Sequence, residues 1–261
     1  MTIDSAARHA VILAAGRGSR LGALTDLSPK CLTMVAGRTL LDWMLNALFQ
    51  SGIEQVLIVG GYGYESLTTY PSHRVTTILH ARWSETNMLG TLRAADSWLA
   101  SQPCLIAYSD IAVKAAHLAR LRSATDDIVV ANNTRWQSLW AERFTDVLAD
   151  AENFVAEDRA LRAIGGRAAS MSEIGGQFMG LIKTTSNGWT QLSAVLLNDP
   201  ALARTGDTTQ LLARALDIDV PINVIDCDGG WIEIDSPSDL QVVERGLVNV
   251  ETGRWAHDWR G

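Results

Sequence analysis

The chain is poor in cysteine, proline and long apolar runs, and each shortage excludes a class of protein. Three cysteines, Cys31, Cys104 and Cys227, lie far apart in a chain of 261 residues and form no C-x-x-C pair. They predict no disulfide framework, which fits a reducing compartment. No stretch approaches the ~20 apolar residues that a membrane helix needs. The first residues, MTIDSAARH, lack the features of a signal peptide. We therefore expect a cytoplasmic protein that binds no membrane.

Positive charge is also scarce. The chain has 22 Lys and Arg against 29 Asp and Glu, which gives a formal net charge of −7. An acidic chain is not drawn to nucleic acid as a whole, so we expect no nucleic-acid partner. The remaining composition, with 47% hydrophobic and 20% charged residues, is that of a globular protein and excludes a disordered or collagen-like chain.

Short apolar runs alternate with longer segments of helical period. Strands are predicted at residues 10–13, 55–59, 74–79, 104–108, 177–183, 222–226 and 231–235. Helices are predicted at residues 39–51, with Thr39 as the cap, and at 87–101, 188–197, 207–216 and from Pro237 onward. This alternation predicts an α/β fold with a mostly parallel, Rossmann-like, doubly wound sheet.

The organisation along the chain predicts one domain over residues 8–247. The alternation of predicted strands and helices is less clear at residues 133–175, and we interpret this segment as a small insertion lobe. Residues 248–261 form a C-terminal tail, whose Trp255 and Trp259 would dock on the body or on a second copy of the chain. A homodimer is therefore a prediction to test.

The strongest chemical signal is a glycine loop directly after the first predicted strand. It reads Leu13-Ala14-Ala15-Gly16-Arg17-Gly18-Ser19-Arg20-Leu21, with Pro29-Lys30 shortly after it. Glycine lets backbone N–H groups approach phosphate oxygens, and Arg17, Arg20 and Lys30 add cationic donors. The loop lacks the Gly-Lys-Ser/Thr of a P-loop and the third glycine of a dinucleotide fingerprint. It predicts a site for a polyanion.

This loop resembles the signature of the nucleotidyltransferases that activate phosphorylated sugars and alcohols, which have the nucleotide-diphospho-sugar transferase fold. Within that superfamily the chain looks most similar to the phosphocholine and phosphonate cytidylyltransferases. Further matches are spread over nearly the whole chain: Gly60-Gly61-Tyr62, Asn87 with Thr91, Tyr108-Ser109-Asp110, Glu173 with residues 176–180, Asp207-Thr208-Thr209, and residues 231–235.

The resemblance implies a reaction and a set of site residues. CMP would pass from CTP to a small acceptor such as phosphonoformate, aminoethylphosphonate or phosphocholine, with release of pyrophosphate and with Mg²⁺ as cofactor. The catalytic residues would be Arg17, Lys30 and Asp110. The nucleotide would be bound by Leu13, Ala14, Ala15, Gly16, Arg17, Gly18, Ser19, Arg20, Lys30, Gly61, Asn87, Thr91 and Asp110.

Two positions carry candidate metal ligands. Asp110 follows a predicted strand end, and Mg²⁺ in nucleotide sites is held by one or two carboxylates. Its partner would be Glu233 or Asp235, which share one face of a predicted strand because side chains alternate. The resemblance favours Asp235, with Glu233 as support.

The acceptor group stays open at this point. A quaternary ammonium needs an aromatic cage or carboxylates, which Trp136, Trp140, Glu173 and Asp207 could supply. An acidic phosphonate needs cations, which Arg135, Arg143 and Lys183 could supply. We take as acceptor-binding candidates Trp140, Arg143, Glu173 and Asp207. Two other functions stay open: a sugar-1-phosphate uridylyl- or thymidylyltransferase, and a non-catalytic nucleotide-binding regulatory protein.

Overall fold

The computed structural model describes residues 6–248 and 255–260, in which strands alternate with helices. The strands are β1 (His9–Ala14), β2 (Met34–Val35), β3 (Arg38–Thr39), β4 (Gln55–Gly60), β5 (Val75–Leu79), β6 (Cys104–Tyr108), β7 (Ile111–Val113), β8 (Ile128–Asn133), β9 (Glu152–Glu157), β10 (Ala160–Arg167), β11 (Gln177–Thr184), β12 (Asn223–Cys227) and β13 (Trp231–Glu233). The helices are α1 (Leu40–Gln50), α2 (Met88–Arg93), α3 (Asp96–Ser101), α4 (Ala115–Arg122), α5 (Trp136–Arg143), α6 (Ser186–Asn198), α7 (Pro200–Thr205), α8 (Thr208–Leu216) and α9 (Pro237–Val248).

Nine of these strands form one sheet, in the order β5-β4-β1-β6-β11-β8-β12-β10-β9. Within the described residues, seven of the nine run in one direction, and β10 and β11 run against them. Leu13 lies opposite both Val59 and Tyr108, so β1, β4 and β6 end level at one edge. The predicted mostly parallel α/β sheet is confirmed.

Helices cover both faces of this sheet. In β1, Ile12 packs into one apolar cluster with Met44 of α1, whereas Val11 and Leu13 pack into another with Leu92 of α2. Because both faces are buried, the central strands are continuous apolar runs, as expected for a doubly wound fold. The loops that leave the level strand ends lie at the exposed edge between these two layers.

Two predicted helices illustrate what a periodic pattern can and cannot show. Helix α1 begins as predicted, since the Thr39 hydroxyl accepts a hydrogen bond from the Asp42 amide at 3.0 Å. The single helix predicted over residues 87–101 is wrong, because the backbone leaves the helical region at Ala95 and α3 starts anew at Asp96. Leu92 and Leu99 lie in the same cluster on either side of the break, so the apolar period conceals it.

A second, two-stranded sheet decides where the candidate carboxylates lie. The strand predicted at residues 231–235 is β13, which pairs antiparallel with β7 outside the nine-stranded sheet. Glu233 lies opposite Ile111, and the Ile234 amide donates to the Asp110 carbonyl at 3.0 Å. This pairing joins two regions that are more than a hundred residues apart in the chain.

The weakly periodic segment 133–175 and residues 255–260 at the end of the chain both pack against the rest of the domain. The segment forms α5 and the β9–β10 hairpin, which extends the main sheet beyond β12 through Ala160 and Asn223. At the chain end, the Gly230 amide donates to the Ala256 carbonyl at 2.7 Å, and Trp259 is 4% exposed. Among the described residues no helix is long and apolar enough to cross a bilayer.

Candidate active site

The glycine loop leaves β1 at the level edge of the sheet and turns back over Lys30. Gly18 has a φ of +73°, and a Cβ atom there would lie 2.7 Å from the Cβ of Lys30. The position therefore requires glycine for its backbone angle and for its close packing on the lysine. The Leu21 amide then donates to the Gly18 carbonyl at 3.0 Å, which closes the loop into a tight turn.

Lys30 lies between two carboxylates from distant parts of the chain. Its Nζ donates to Asp110 Oδ2 at 2.6 Å and to Asp235 Oδ1 at 2.5 Å, and its side chain is 11% exposed. Burial alone would lower the pKa of this ammonium, but the nearby charges of Asp110, Asp235 and Glu233 outweigh burial and raise it. Arg20 also donates to Asp235 Oδ1, at 2.8 Å.

Three carboxylates form a cluster that fits a divalent cation. One oxygen each from Asp110, Glu233 and Asp235 lie within 4.8 Å of one another. Asp110 Oδ1 is buried and accepts no hydrogen bond from the described residues. Burial and the neighbouring Asp235 raise the pKa of Glu233 to about 8, against the opposing effect of Arg143. Hard oxygen donors with an unused buried lone pair suit Mg²⁺, so the residues present fit this metal.

Arg143 is a buried cation that binds Glu233 of this cluster and the nearby Asp239. Its side chain is 1% exposed and donates from Nε to Asp239 Oδ1 at 2.8 Å and from Nη1 to Glu233 Oε2 at 3.2 Å. The other Asp239 oxygen accepts from the amides of Asp235 and Ser236 at 2.9 and 2.8 Å. Arg143 and Asp239 together therefore fix the turn that carries Asp235.

A first cavity, of about 560 Å³ including its open mouth, lies beside the glycine loop. Of the residues predicted to bind the nucleotide, its walls contain Leu13, Ala15, Gly16, Lys30, Asn87, Thr91 and Asp110. Gly61 packs behind this wall, since a Cβ atom there would lie 2.5 Å from Trp83. Asn87 donates to the Thr205 carbonyl at 3.1 Å, which orients its amide.

A second cavity, of about 820 Å³ including its open mouth, adjoins the first at Met88, which lines both. Glu233, Asp235 and Arg20 form the wall nearest the carboxylate cluster. The remaining wall is acidic and aromatic, with side chains of Asp150, Glu152, Asp207, Tyr108, Phe178 and Trp140. Burial, together with Asp207 and Asp150, raises the pKa of Glu152 to about 7.

A family model described as the MobA-like NTP transferase domain matches residues 10–174. The chain belongs to this family.

Relatives of this nucleotidyltransferase match most of its length. It is 28% identical to the CTP:phosphoglutamine cytidylyltransferase of Campylobacter jejuni over 248 residues, which cover 90% of this chain and 98% of that one. It is 32% identical to the CMP-5'-(3-aminopropyl)phosphonate synthase of Streptomyces rubellomurinus over 161 residues, 60% of this chain and 25% of that one. The resemblance to nucleotidyltransferases, and among them to proteins named as cytidylyltransferases, is confirmed.

Solved structures share the fold of this nucleotidyltransferase at low identity. The CTP:phosphocholine cytidylyltransferase of Streptococcus pneumoniae superposes with a TM-score of 0.73 at 19% identity, over 92% of this chain and 99% of that one. The inositol-1-phosphate CTP transferase of T. maritima superposes with a TM-score of 0.72 at 19% identity, over 93% of this chain and 97% of that one. Both support the Rossmann-like α/β fold.

The structure brings most of the predicted site residues together, but not all. Arg17 is half-exposed beside the first cavity, where it pairs with Asp26 at 2.9 Å and lies over the Tyr62 ring. Trp140 and Asp207 line the second cavity, whereas Arg143 and Glu173 line neither. Glu173 instead accepts hydrogen bonds from Ala169 and Ser170 of its own turn. Trp136, offered for an aromatic cage, is 2% exposed in the core.

Sequence reasoning missed several residues of the site. Glu152 of the second cavity and Trp83 and Thr86 of the first were not predicted. Tyr108 and Phe178 belong to motifs that carried the resemblance, but no site role was predicted for them. Asp239 was also missed, although Ser236-x-x-Asp239 is a capping-box pattern that could have indicated it.

Proposed function

We propose that this nucleotidyltransferase transfers CMP from CTP to a small phosphonate or phosphoryl acceptor, with release of pyrophosphate and with a divalent metal as cofactor. The observation that carries the proposal is its match, over nearly the full length of both chains, with a relative named CTP:phosphoglutamine cytidylyltransferase. The glycine loop, Lys30 and the carboxylate cluster are the parts that such a reaction needs.

The two adjoining cavities support a reaction between two bound substrates. The first contains the glycine loop, Lys30 and Asp110, which suits the nucleotide. The second borders the same cluster through Glu233 and Asp235, which suits the acceptor. The reacting phosphorus would lie at the junction, within reach of Lys30. Holding both substrates in this way converts a bimolecular reaction into an effectively unimolecular one.

In the proposed reaction an acceptor oxygen forms a bond to the α-phosphorus of CTP. The bond between that phosphorus and the bridging oxygen to the β-phosphate breaks, and the electron pair leaves with pyrophosphate. Lys30, Arg17 and Arg20 would bind phosphate oxygens and stabilise the charge on the leaving group. No side chain needs to form a covalent bond.

The metal would be held by Asp110 and Asp235, with Glu233 beside them. When bound, it would withdraw negative charge from the phosphate oxygens as a Lewis acid. The buried Asp110 Oδ1, without a donor in the described residues, supports this assignment.

The acidic wall of the second cavity favours an acceptor with a positive group at its far end. Arg20 can bind the anionic end near the cluster, whereas Asp150, Glu152 and Asp207 face the rest of the cavity. A primary ammonium can donate hydrogen bonds to these carboxylates, and the rings of Tyr108 and Phe178 line the same cavity. The acceptor class proposed here is therefore an amino-phosphonate or amino-phosphate.

Pyrophosphate release tests the reaction. Each of the four NTPs is paired with Mg²⁺ and with aminoethylphosphonate, phosphonoformate, phosphocholine or glucose-1-phosphate. We expect release with CTP and aminoethylphosphonate, and none in the matched Asp110→Asn variant. Release with CTP and only phosphonoformate or phosphocholine would support the reaction and contradict the proposed acceptor class. Release only with UTP or dTTP and the sugar phosphate would favour a sugar-nucleotide enzyme. CTP binding without any release would favour a regulatory protein.

The acceptor class has its own test in Asp207. Asparagine also caps helices well, so Asp207→Asn keeps the start of α8 while removing one charge. We expect the KM for aminoethylphosphonate to rise about tenfold, as for one lost charge-assisted contact, and the KM for ethylphosphonate to stay the same. Equal changes for both acceptors would contradict an ammonium site at this wall.

The location and the domain limits also remain proposals. The three cysteines are free and buried, which supports a reducing, cytoplasmic compartment. The main sheet gains strands from the segment 133–175 as well as from the rest of the chain, which supports a single domain over residues 8–247. A homodimer stays a prediction for measurement of the mass in solution.

A further inference from the structure

The ammonium of Lys30 lies against two of the three carboxylates that a divalent cation would need. It contacts Asp110 Oδ2 at 2.6 Å and Asp235 Oδ1 at 2.5 Å. The same two carboxylates belong to the cluster whose ligand oxygens lie within 4.8 Å of one another. Their side chains are 19% and 13% exposed, so water screens these contacts only in part.

We propose that Lys30 and the divalent metal compete for Asp110 and Asp235, and that the lysine gives up these carboxylates when the metal binds. Even at Asp110 Oδ1, which accepts no hydrogen bond from the described residues, a metal would share a carboxylate whose Oδ2 already accepts from the ammonium at 2.6 Å, and two cations on the same pair of carboxylates repel each other. This inference rests on the proposed function only for the assignment of the metal site.

The surroundings of Lys30 favour an exchange of partners over a loss of structure. A lysine ammonium is a movable point charge on a flexible stem. That stem is packed against Gly18 of the glycine loop, so its ammonium can turn from the carboxylates towards phosphates on the loop. Arg20 follows the same pattern, because it is 67% exposed and donates to the same Asp235 oxygen. Two of the three cations that would bind the nucleotide, Lys30 and Arg20, therefore now pair with the candidate metal ligands.

The competition predicts a result opposite to the usual loss of binding on mutation. Lys30→Met and Lys30→Gln should bind Mn²⁺, without nucleotide, at least tenfold more tightly than the unaltered protein. The readout is free Mn²⁺ measured by electron paramagnetic resonance. Lys114→Gln is the matched control, because it removes the same charge from a lysine outside the cluster, and its Kd should stay within twofold. Equal or weaker binding in folded Lys30 variants would overturn the inference.

A second measurement uses the unaltered protein and does not depend on the variants folding. The chain has only three lysines, Lys30, Lys114 and Lys183. In protein labelled with ¹⁵N-lysine, Mg²⁺ should shift or broaden the Lys30 ammonium signal and leave the other two in place. A Lys30 signal that stays unchanged at saturating Mg²⁺ would overturn the inference.

The outcomes separate this inference from the proposed function. Competition without turnover of CTP would contradict the proposed function and support the exchange. Turnover without competition would support the function and overturn the exchange. If none of the proteins bound Mn²⁺ or Mg²⁺, the metal site itself would be wrong and the exchange with it.

Discussion

Arg143 is the cation behind the carboxylate cluster, and its replacement by methionine should destabilise the protein strongly. The side chain is 1% exposed and lies 2.8 Å from Asp239 and 3.2 Å from Glu233. Methionine retains much of the apolar stem but removes the guanidinium, whose Cζ lies 5.0 Å and 4.9 Å from the ring centroids of Trp140 and Phe144. The Asp239 side chain, 4% exposed, then loses its cation.

The expected magnitude follows from what each carboxylate can do without Arg143. Removal of one partner of a buried ion pair costs about 3–5 kcal/mol, because the remaining charge stays desolvated. Glu233 relieves part of this cost, since burial and Asp235 already raise its pKa to about 8 and it can take up a proton. Burial alone would raise the pKa of Asp239, but Arg143, with smaller contributions from the Asp235 amide and Ser236, lowers it, so the variant leaves this buried carboxylate without its main counter-charge. We therefore expect a loss of about 3 kcal/mol in the free energy of unfolding.

Urea unfolding at pH 7, followed by circular dichroism, measures this loss. Arg162→Met is the matched control, because Arg162 pairs with Glu157 at 3.5 Å and is 56% exposed; it should lose less than about 1 kcal/mol. Asp239→Asn combined with Arg143→Met should lose less than the sum of the two single changes, since the charges compensate. A loss at Arg143 no larger than at Arg162 would refute the reasoning, because it would mean that water screens the network.

Two further predictions concern the second cavity and the chain end. Burial, with Asp207 and Asp150 nearby, raises the pKa of Glu152 from 4.5 to about 7. The folded protein therefore binds this proton more tightly than the unfolded chain does. As a result, the folded protein loses stability as the pH rises from 4.5 through 7. The free energy of unfolding of Glu152→Gln should therefore exceed that of the unaltered protein by ~2 kcal/mol at pH 8 and be nearly equal to it at pH 4.5. The same pH dependence of unfolding in the two proteins would contradict this. Trp259→Ala should lose about 3 kcal/mol, because a buried tryptophan leaves a cavity. Thermal unfolding compares it with Leu27→Ala, a change at a side chain that is 94% exposed and should have no effect; equal melting temperatures would mean that the tail does not dock.

The parts of the site that could be predicted from sequence are those set by local structure. The glycine loop directly follows β1, and Lys30 lies only twelve positions after Gly18, so their contact depends on one turn of the chain. Asp110 could be predicted because it follows a strand end, where side chains of parallel sheets meet. The alternation of apolar runs likewise predicts the layers of the fold.

The parts that could not be predicted depend on which way a side chain turns in the packed structure. Arg143 and Glu173 were chosen for their charge, yet Arg143 is drawn inward by carboxylates and Glu173 bonds to its own turn. Glu152 lies on β9, in the segment whose weak period hid the strand. A periodic pattern also does not predict the direction of a strand, so the antiparallel orientation of β10 and β11 could be learned only from the structure.

The position of the carboxylate cluster depends on residues that lie far from it. Strand β13 has three residues and lies outside the main sheet, so its single pairing with β7 would hold it loosely. Side chains that pack on both faces of β13 hold it in place as well. Trp231 stacks on Trp140 at an angle of 6° and donates to the Met179 carbonyl at 3.0 Å, while Ile232 and its neighbours bury against Trp259 of the tail. Because Glu233 lies between Ile232 and Ile234, which are both buried in the cluster that contains Trp259, we expect a change that loosens the tail to displace the candidate metal ligands as well.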